Sequence, residues 1–270
     1  MDVYLAEYSS EDAVRRYTSR TAGRGIDYLL KHDYATVYVT AMNKMLRVPR
    51  DTPLRVLEFG CGGGMNIITL VPLLERNGWV IERAYGTDFS DTLIRAANRE
   101  AQASLTQAQC SKFRFTVARN EQLANDLAAG SAMSRNDVAG YFHVIVGVNT
   151  FRYCHRLGKQ RECAHDVAEL LAPGGLCINI DMNRAFPAFK SKLRNRSKPA
   201  TIETYLPTLR EYTVPFEEAG LEVLKSENFC WVPHSAGPAL VTACRLAAPV
   251  LDLVAKPFAM RSLVISRKRT

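Results

Sequence analysis

The sequence predicts an α/β fold: a mostly parallel sheet covered by helices, with an antiparallel pair of strands at its C-terminal edge. Three observations carry this expectation. Short apolar runs alternate with helical stretches from Leu54 to Asp181, the pattern of successive right-handed βαβ units. The first of these runs ends in clustered glycines, Gly60-Cys61-Gly62-Gly63-Gly64. The C-terminal part instead holds two extended segments, Leu221 to Trp231 and Arg261 to Arg267, around an apolar helical insert near residues 233–257.

The elements follow in order. Ser10 to Leu46 has helical spacing (Ala13, Tyr17, Ile26, Leu29, Leu30, Tyr38, Met42, Met45, Leu46), and Gly23 and Gly25 predict a break within it. Residues 1–50 are therefore expected to form an N-terminal helical lid and residues 51–270 the core. Strands are expected at Leu54 to Gly60, Ile81 to Thr87, Phe113 to Ala118 and Leu176 to Asp181. Phe142 to Val148 (FHVIVGV), apolar and rich in β-branched residues, is the candidate central strand. Helices are expected at Met65 to Asn77, Ser90 to Leu105 and Lys159 to Leu171, with a turn at Pro173-Gly174-Gly175. Leu209 to Ala219 has a helical pattern that Pro215 must kink or shorten.

Composition narrows the classes. Of the 270 residues 47% are hydrophobic and 23% charged, enough for one sizeable core and ordinary for a globular chain. No apolar run is long enough to cross a membrane, and MDVYLAEYSSEDAVRR lacks the basic and apolar regions of a signal peptide. Seven cysteines without a CxxC pair predict reduced thiols and a cytoplasmic protein. The five histidines do not cluster with them at ligand spacing, so no metal site is expected. The net charge of +8 is compatible with nucleic acid, an anionic membrane surface or an acidic substrate.

The strongest local signal is Val56-Leu57-Glu58-Phe59-Gly60-Cys61-Gly62-Gly63-Gly64. A strand running into glycines lets the backbone approach a ligand, and the helix beyond it presents free N–H groups. The dinucleotide fingerprint requires glycine at its sixth position, which is Met65 here, and Glu58 would repel a pyrophosphate.

Glu58, Gly60, Gly62 and Gly64 instead match the acidic residue, spacer and G-x-G-x-G of the first motif of class I methyltransferases, and the chain resembles that family from about Leu54 to Ile180. Tyr85-Gly86-Thr87-Asp88-Phe89-Ser90 is similar to its second motif, and Leu171-Ala172-Pro173-Gly174-Gly175 to its turn before the fifth strand. The resemblance implies a Rossmann-like class I methyltransferase sheet, S-adenosylmethionine as methyl donor and S-adenosylhomocysteine as product. It places Glu58, Gly60, Cys61, Gly62 and Gly64 around the cofactor, Asp88 on the ribose hydroxyls and Phe89 against the adenine. Asn120 is assigned to the adenine edge and Asn149 to the amino-acid end. Arg119 and His143 stand where the family commonly has acids.

In the family, the acceptor pocket lies above the carboxyl ends of the fourth and fifth strands. Candidate catalytic residues are His155 as base, Arg152 for an acidic acceptor, and Tyr17 as the N-terminal tyrosine that closes over the sulfonium in relatives. Trp231, Pro233 and His234 could line the pocket. The expected activity is transfer of a methyl group to a small-molecule acceptor by in-line displacement, with the acceptor atom (oxygen, nitrogen, carbon or sulfur) left open. Two alternatives stand beside it. One is an RNA methyltransferase that uses Arg184, Lys190, Lys192, Arg194, Arg196 and Lys198, with Phe186 and Phe189 interleaved. The other is a catalytically inactive scaffold.

Overall fold

The structure, a computed structural model, describes residues 8, 10–12, 14–15, 25–187, 206–233 and 236–270. The helices α1 (Gly25–Lys31) and α2 (Tyr34–Met45) lead into the first strand. There follow β1 (Leu54–Phe59), α3 (Met65–Arg76), β2 (Ile81–Asp88), α4 (Asp91–Ser104), the short α5 (Gln107–Cys110) and β3 (Phe113–Val117). Next come α6 (Leu123–Ser131), α7 (Arg135–Val138), β4 (Phe142–Val148), α8 (Phe151–Arg156), α9 (Gln160–Leu170) and β5 (Leu171–Met182). The chain closes with α10 (Leu209–Glu218), β6 (Glu222–Phe229), α11 (Pro238–Val254) and β7 (Arg261–Arg267).

The strands form one seven-stranded sheet in the order β3-β2-β1-β4-β5-β7-β6. The first five are parallel; β7 slots between β5 and β6 and runs antiparallel to both. Parallel strands need both faces covered, which is why β1 and β4 read as continuous apolar runs. On one face α1, α2 and α3 bury Leu29, Tyr34, Tyr38, Met42, Ile67 and Val71 against Val56, Val144 and Ile178. On the other, α6, α9 and α10 bury Leu123, Leu127, Val167, Leu170, Tyr212 and Phe216 against Leu57, Ile145 and Cys177.

The alternation, the central strand and the antiparallel edge pair agree with the sequence expectation. The residues expected to act as a lid divide in two. Gly25 to Met45 belongs to the layer that covers the sheet, whereas Tyr8 reaches the rim where the strands end. The break between the two helices falls at Asp33, which sits in the left-handed region at φ 60°. Gly23 lies outside the described residues, as do Ala13 and Tyr17. The Pro173-Gly174-Gly175 turn is absorbed into a longer β5. There Gly174 (φ 74°) passes so close to the Arg47 carbonyl that a Cβ would sit 2.7 Å from it. The insert between β6 and β7 is α11. Its Val241 and Cys244 pack on Cys230, Val232 and Met260, while Leu246 and Leu253 are 77% and 85% exposed. No helix among the described residues is long and apolar enough to cross a membrane.

Candidate active site

The carboxyl ends of β1, β2, β4 and β5 meet along one rim of the sheet, and the motif residues converge there. After β1 the chain turns through Gly60, Gly62 and Gly64 at φ 62°, 55° and 81°, a region costly to any residue with a Cβ. At Gly60 a Cβ would also fall 1.8 Å from Thr150 Oγ1. The glycine therefore lets the turn after β1 press against the end of β4.

Two buried carboxylates fix this turn. Glu58 accepts from Asn66 Nδ2 and from the Ile67 N–H, both at 2.9 Å, and so satisfies one of the free donors in the first turn of α3. Burial raises its pKa to about 8 despite these bonds. Asp88, at the end of β2, accepts from the Gly62 N–H and the Ser90 N–H, each at 3.0 Å. Burial raises it to about 6, so it is mostly ionised at neutral pH. Each carboxylate oxygen has a second lone pair, which leaves Asp88 able to accept from hydroxyls at the rim. Ser90 caps α4 by accepting from the Leu93 N–H at 3.3 Å.

The other motif residues surround this pair. Cys61 is buried, with its thiol pKa pushed well up by burial and its Sγ against Gly86, so it offers backbone rather than chemistry. Phe89 is half-buried beside Asp88. Asn120 donates to Thr150 Oγ1 at 2.7 Å and ties the end of β3 to that of β4. Asn149, at φ 56°, accepts from Arg261 Nη1 at 3.0 Å.

Past β4, Arg152 and Asp181 form a second buried group. The two oxygens of Asp181 accept from the Arg152 and Met182 N–H groups at 3.0 and 2.8 Å, and Arg152 Nε lies 3.9 Å from Oδ1. Burial opposes the Arg152 charge, but Tyr153 and Asp181 outweigh it and hold the guanidinium protonated. Burial also raises the pKa of Asp181, against the pull of Arg152 and Arg261. Arg152 Nη2 donates to Tyr153 Oη at 3.1 Å. Tyr153 Oη in turn lies 3.1 Å from Tyr8 Oη. Tyr8 sits edge-on to Phe89 with centroids 6.0 Å apart, and its carbonyl accepts from Ser90 Oγ at 2.6 Å.

The structure thus brings Gly60, Cys61, Gly62, Gly64, Asp88, Phe89, Asn120, Asn149 and Arg152 to one rim, with Glu58 buried beneath the glycine turn. It does not bring His155 there. That ring packs edge-on to Phe151 and Tyr212 at 5.0 and 5.5 Å, and burial lowers its pKa to about 4. His143 accepts from the Arg55 N–H at the opposite end of β4, and Arg119 pairs with Asp126 at the surface. Tyr17, His234 and the basic segment from Lys190 to Lys198 lie outside the described residues. Sequence reasoning missed Tyr8, because the periodicity pointed to Tyr17, and Arg261, which reads as a polar flank of its strand. Aromatic residues in an otherwise polar N-terminal stretch were the available signal for Tyr8.

A surface cleft of about 640 Å³ lies elsewhere, lined by Glu121, Arg161, His165, Asp166 and Glu218. His165 and Asp166 of this cleft lie close enough to nearby Glu169 to share a cation, but Arg135 already bridges Asp166 and Glu169. The motif residues do not line it.

Comparison with known proteins identifies the family. Residues 30–226 match the family described as methyltransferase domain. The chain belongs to that family and is a methyltransferase. It is 30% identical over 142 residues to the non-reducing polyketide synthase tazA of Aspergillus terreus, covering 52% of this chain and 5% of that protein. A similar match, 29% over 136 residues, relates it to the 3-methylorcinaldehyde synthase tropA of Talaromyces stipitatus, covering 50% of this chain and 4% of that protein. The chain therefore spans about a twentieth of the curated relatives it matches. Among solved structures, the citrinin polyketide synthase CMeT domain superposes with a TM-score of 0.63 at 16% identity, over 100% of this chain and 60% of that one. Magnesium protoporphyrin IX methyltransferase (ChlM) from Synechocystis PCC 6803 with bound SAH gives 0.61 at 13% identity, over 99% of this chain and 100% of that one.

Proposed function

We propose that the protein transfers a methyl group from S-adenosylmethionine to a small-molecule acceptor. The observation that carries this reading is the Asp88 carboxylate, held by the Gly62 and Ser90 N–H groups at the rim beside three glycines with positive φ. The donor set suits the cofactor: a carboxylate with lone pairs to spare for a vicinal diol, a half-buried Phe89 for an adenine, and glycine backbone for close approach. Gly60, Cys61, Gly62 and Gly64 would hold the cofactor through backbone, Asn120 the adenine edge and Asn149 the amino-acid end. When bound, the cofactor supplies an electrophilic methyl on a sulfonium.

The chain's own residues orient and shield. Glu58 fixes the start of α3 and with it the glycine turn. Tyr8, bonded to Ser90 and Tyr153, covers the rim and limits water beside the reacting atoms. In-line displacement asks mainly for positioning, which rigid strand ends provide. The small-molecule reading draws support from the C-methyltransferase domain among the fold's neighbours and from the polyketide synthases among the relatives.

Calorimetric titration with S-adenosylmethionine, S-adenosylhomocysteine and NAD tests the reading. Micromolar binding of the first two alone is expected; absence of both would overturn it.

A further inference from the structure

We propose that the acceptor is an organic anion whose carboxylate or enolate oxygen docks on the Arg152 guanidinium beside the Tyr8 and Tyr153 hydroxyls. The inference rests on the function proposed above and names its substrate class.

The Arg152 guanidinium is short of oxygen acceptors. A guanidinium carries five N–H groups and accepts nothing. The Arg152 side chain is only 12% exposed, so water cannot serve them all. Nη2 donates to the Tyr153 phenol at 3.1 Å, Nη1 faces the Met182 thioether at 2.7 Å, and Nε makes no hydrogen bond among the described residues. A thioether is a weak acceptor and a phenol a neutral one. Asp181 is close by charge, but its nearer oxygen stands 3.9 Å from Nε, beyond hydrogen-bond distance. The ion pair lacks the two-pronged geometry that a guanidinium and a carboxylate adopt when nothing else is required of them. A nearly buried cation so poorly supplied with oxygen is built to receive some.

Location supplies the second half. The contacts Asp88–Ser90–Tyr8–Tyr153–Arg152 run unbroken from the ribose-side carboxylate to the guanidinium. The rings of Tyr8, Phe89 and Tyr153 pack edge to face along this path, with centroids 6.0 and 6.3 Å apart. They offer an apolar wall for the carbon skeleton of an acceptor whose charged end meets Arg152. An arginine is the right cation here, since its planar fork fixes the direction of an oxygen as well as its charge. Tyr153, which touches both Arg152 and Tyr8, is a positioning residue in this arrangement.

The test is titration of the full chain with benzoate and acetoacetate against their neutral counterparts benzamide and acetoacetamide, each with and without saturating S-adenosylhomocysteine. At least one carboxylate should bind the wild type more tightly than its amide. Arg152→Met should weaken that binding at least tenfold, and Arg152→Lys should weaken it less, with the affinity for S-adenosylhomocysteine unchanged in both. Tyr153→Phe should weaken carboxylate binding a few-fold and leave the amides unaffected, and it serves as the test should Arg152→Met fail to fold. Equal binding of acids and amides, no binding of either acid, or indifference to both substitutions would overturn the proposal. Arg152-dependent carboxylate binding in a protein that ignores S-adenosylhomocysteine would sink the cofactor reading and leave the anion site standing.

Discussion

The two halves of the rim differ in the groups they bury: acids alone on one side, an acid with two guanidiniums on the other. Around β1 and β2 the buried ionisable groups are both acids, and backbone N–H groups and one amide satisfy them: Glu58 by Asn66 and Ile67, Asp88 by Gly62 and Ser90. Around β4, β5 and β7 one buried carboxylate, Asp181, again takes two backbone N–H groups, but it is joined by two guanidiniums, Arg152 and Arg261, that reach the side chains of Tyr153, Met182 and Asn149. Backbone partners come with the fold and cannot be exchanged one at a time. Side-chain partners can be altered without touching the sheet.

The largest effect should come from breaking the first half at its tightest contact. Gly60→Val would force a β-branched residue to φ 62° and against Thr150 Oγ1. The expected loss is about 3 kcal/mol of stability, seen as a lower midpoint in urea, together with loss of S-adenosylhomocysteine binding. Asp88→Ala comes next. It leaves the Gly62 and Ser90 N–H groups without their acceptor and removes the proposed ribose contact. Calorimetry should show roughly 100-fold weaker S-adenosylhomocysteine binding, the worth of two charge-assisted hydrogen bonds; unchanged affinity would refute the ribose assignment.

Glu58 sharpens the comparison through pH. Unfolded, it loses its proton near 4.5; folded, it keeps it up to about 8. Between those values the folded state binds the extra proton, so the contribution of Glu58 to stability falls as pH rises and levels off above about 8. The melting temperature of Glu58→Gln relative to wild type should therefore climb from pH 5.5 to pH 8.5 (roughly the span of that shift). A constant difference would show that the buried carboxyl does not titrate there.

A smaller effect is expected at the contact that joins the halves. Tyr8→Phe removes the bond to Tyr153 and keeps the ring on Phe89. It should leave S-adenosylhomocysteine affinity within about twofold and cost about 1 kcal/mol in binding of the acceptor, read as a raised KM. The smallest belongs to a site outside both halves: Leu246→Ser, on the exposed side of α11, should shift stability by less than about 0.5 kcal/mol.

The first half of the rim was also the more legible in the sequence. Glycines at fixed spacing, an acid before them and an acid after the next strand are local signals, and they mark Glu58, Gly60, Gly62, Gly64 and Asp88 directly. The second half depends on pairings between distant segments. Arg261 reaches Asn149 because β7 lies beside β5 in a register that sets Arg261 opposite Met182, and no local pattern encodes that register. His155 looked suited to base work because an imidazole titrates near neutral pH and it follows β4 closely, but α8 sets its half-buried ring against Phe151 and Tyr212. The helix α6 went unmarked because its short run, LANDLAAGS, is small and mixed, and its burial is set by packing on β3 and α9.

The insertion of β7 between β5 and β6 has a consequence for biosynthesis. β5 is complete at Met182, but its outer neighbour is the last strand of the sheet and is made some eighty residues later. Until Arg261–Arg267 leaves the ribosome, the outer edge of β5 offers unpaired N–H and C=O groups, β6 has no sheet to join, and the apolar α11 has already been made. Such long-range closure slows folding and leaves a nascent chain open to edge-to-edge association. Yield during expression should therefore respond to chaperone supply and temperature more steeply than the stability of the finished enzyme would suggest.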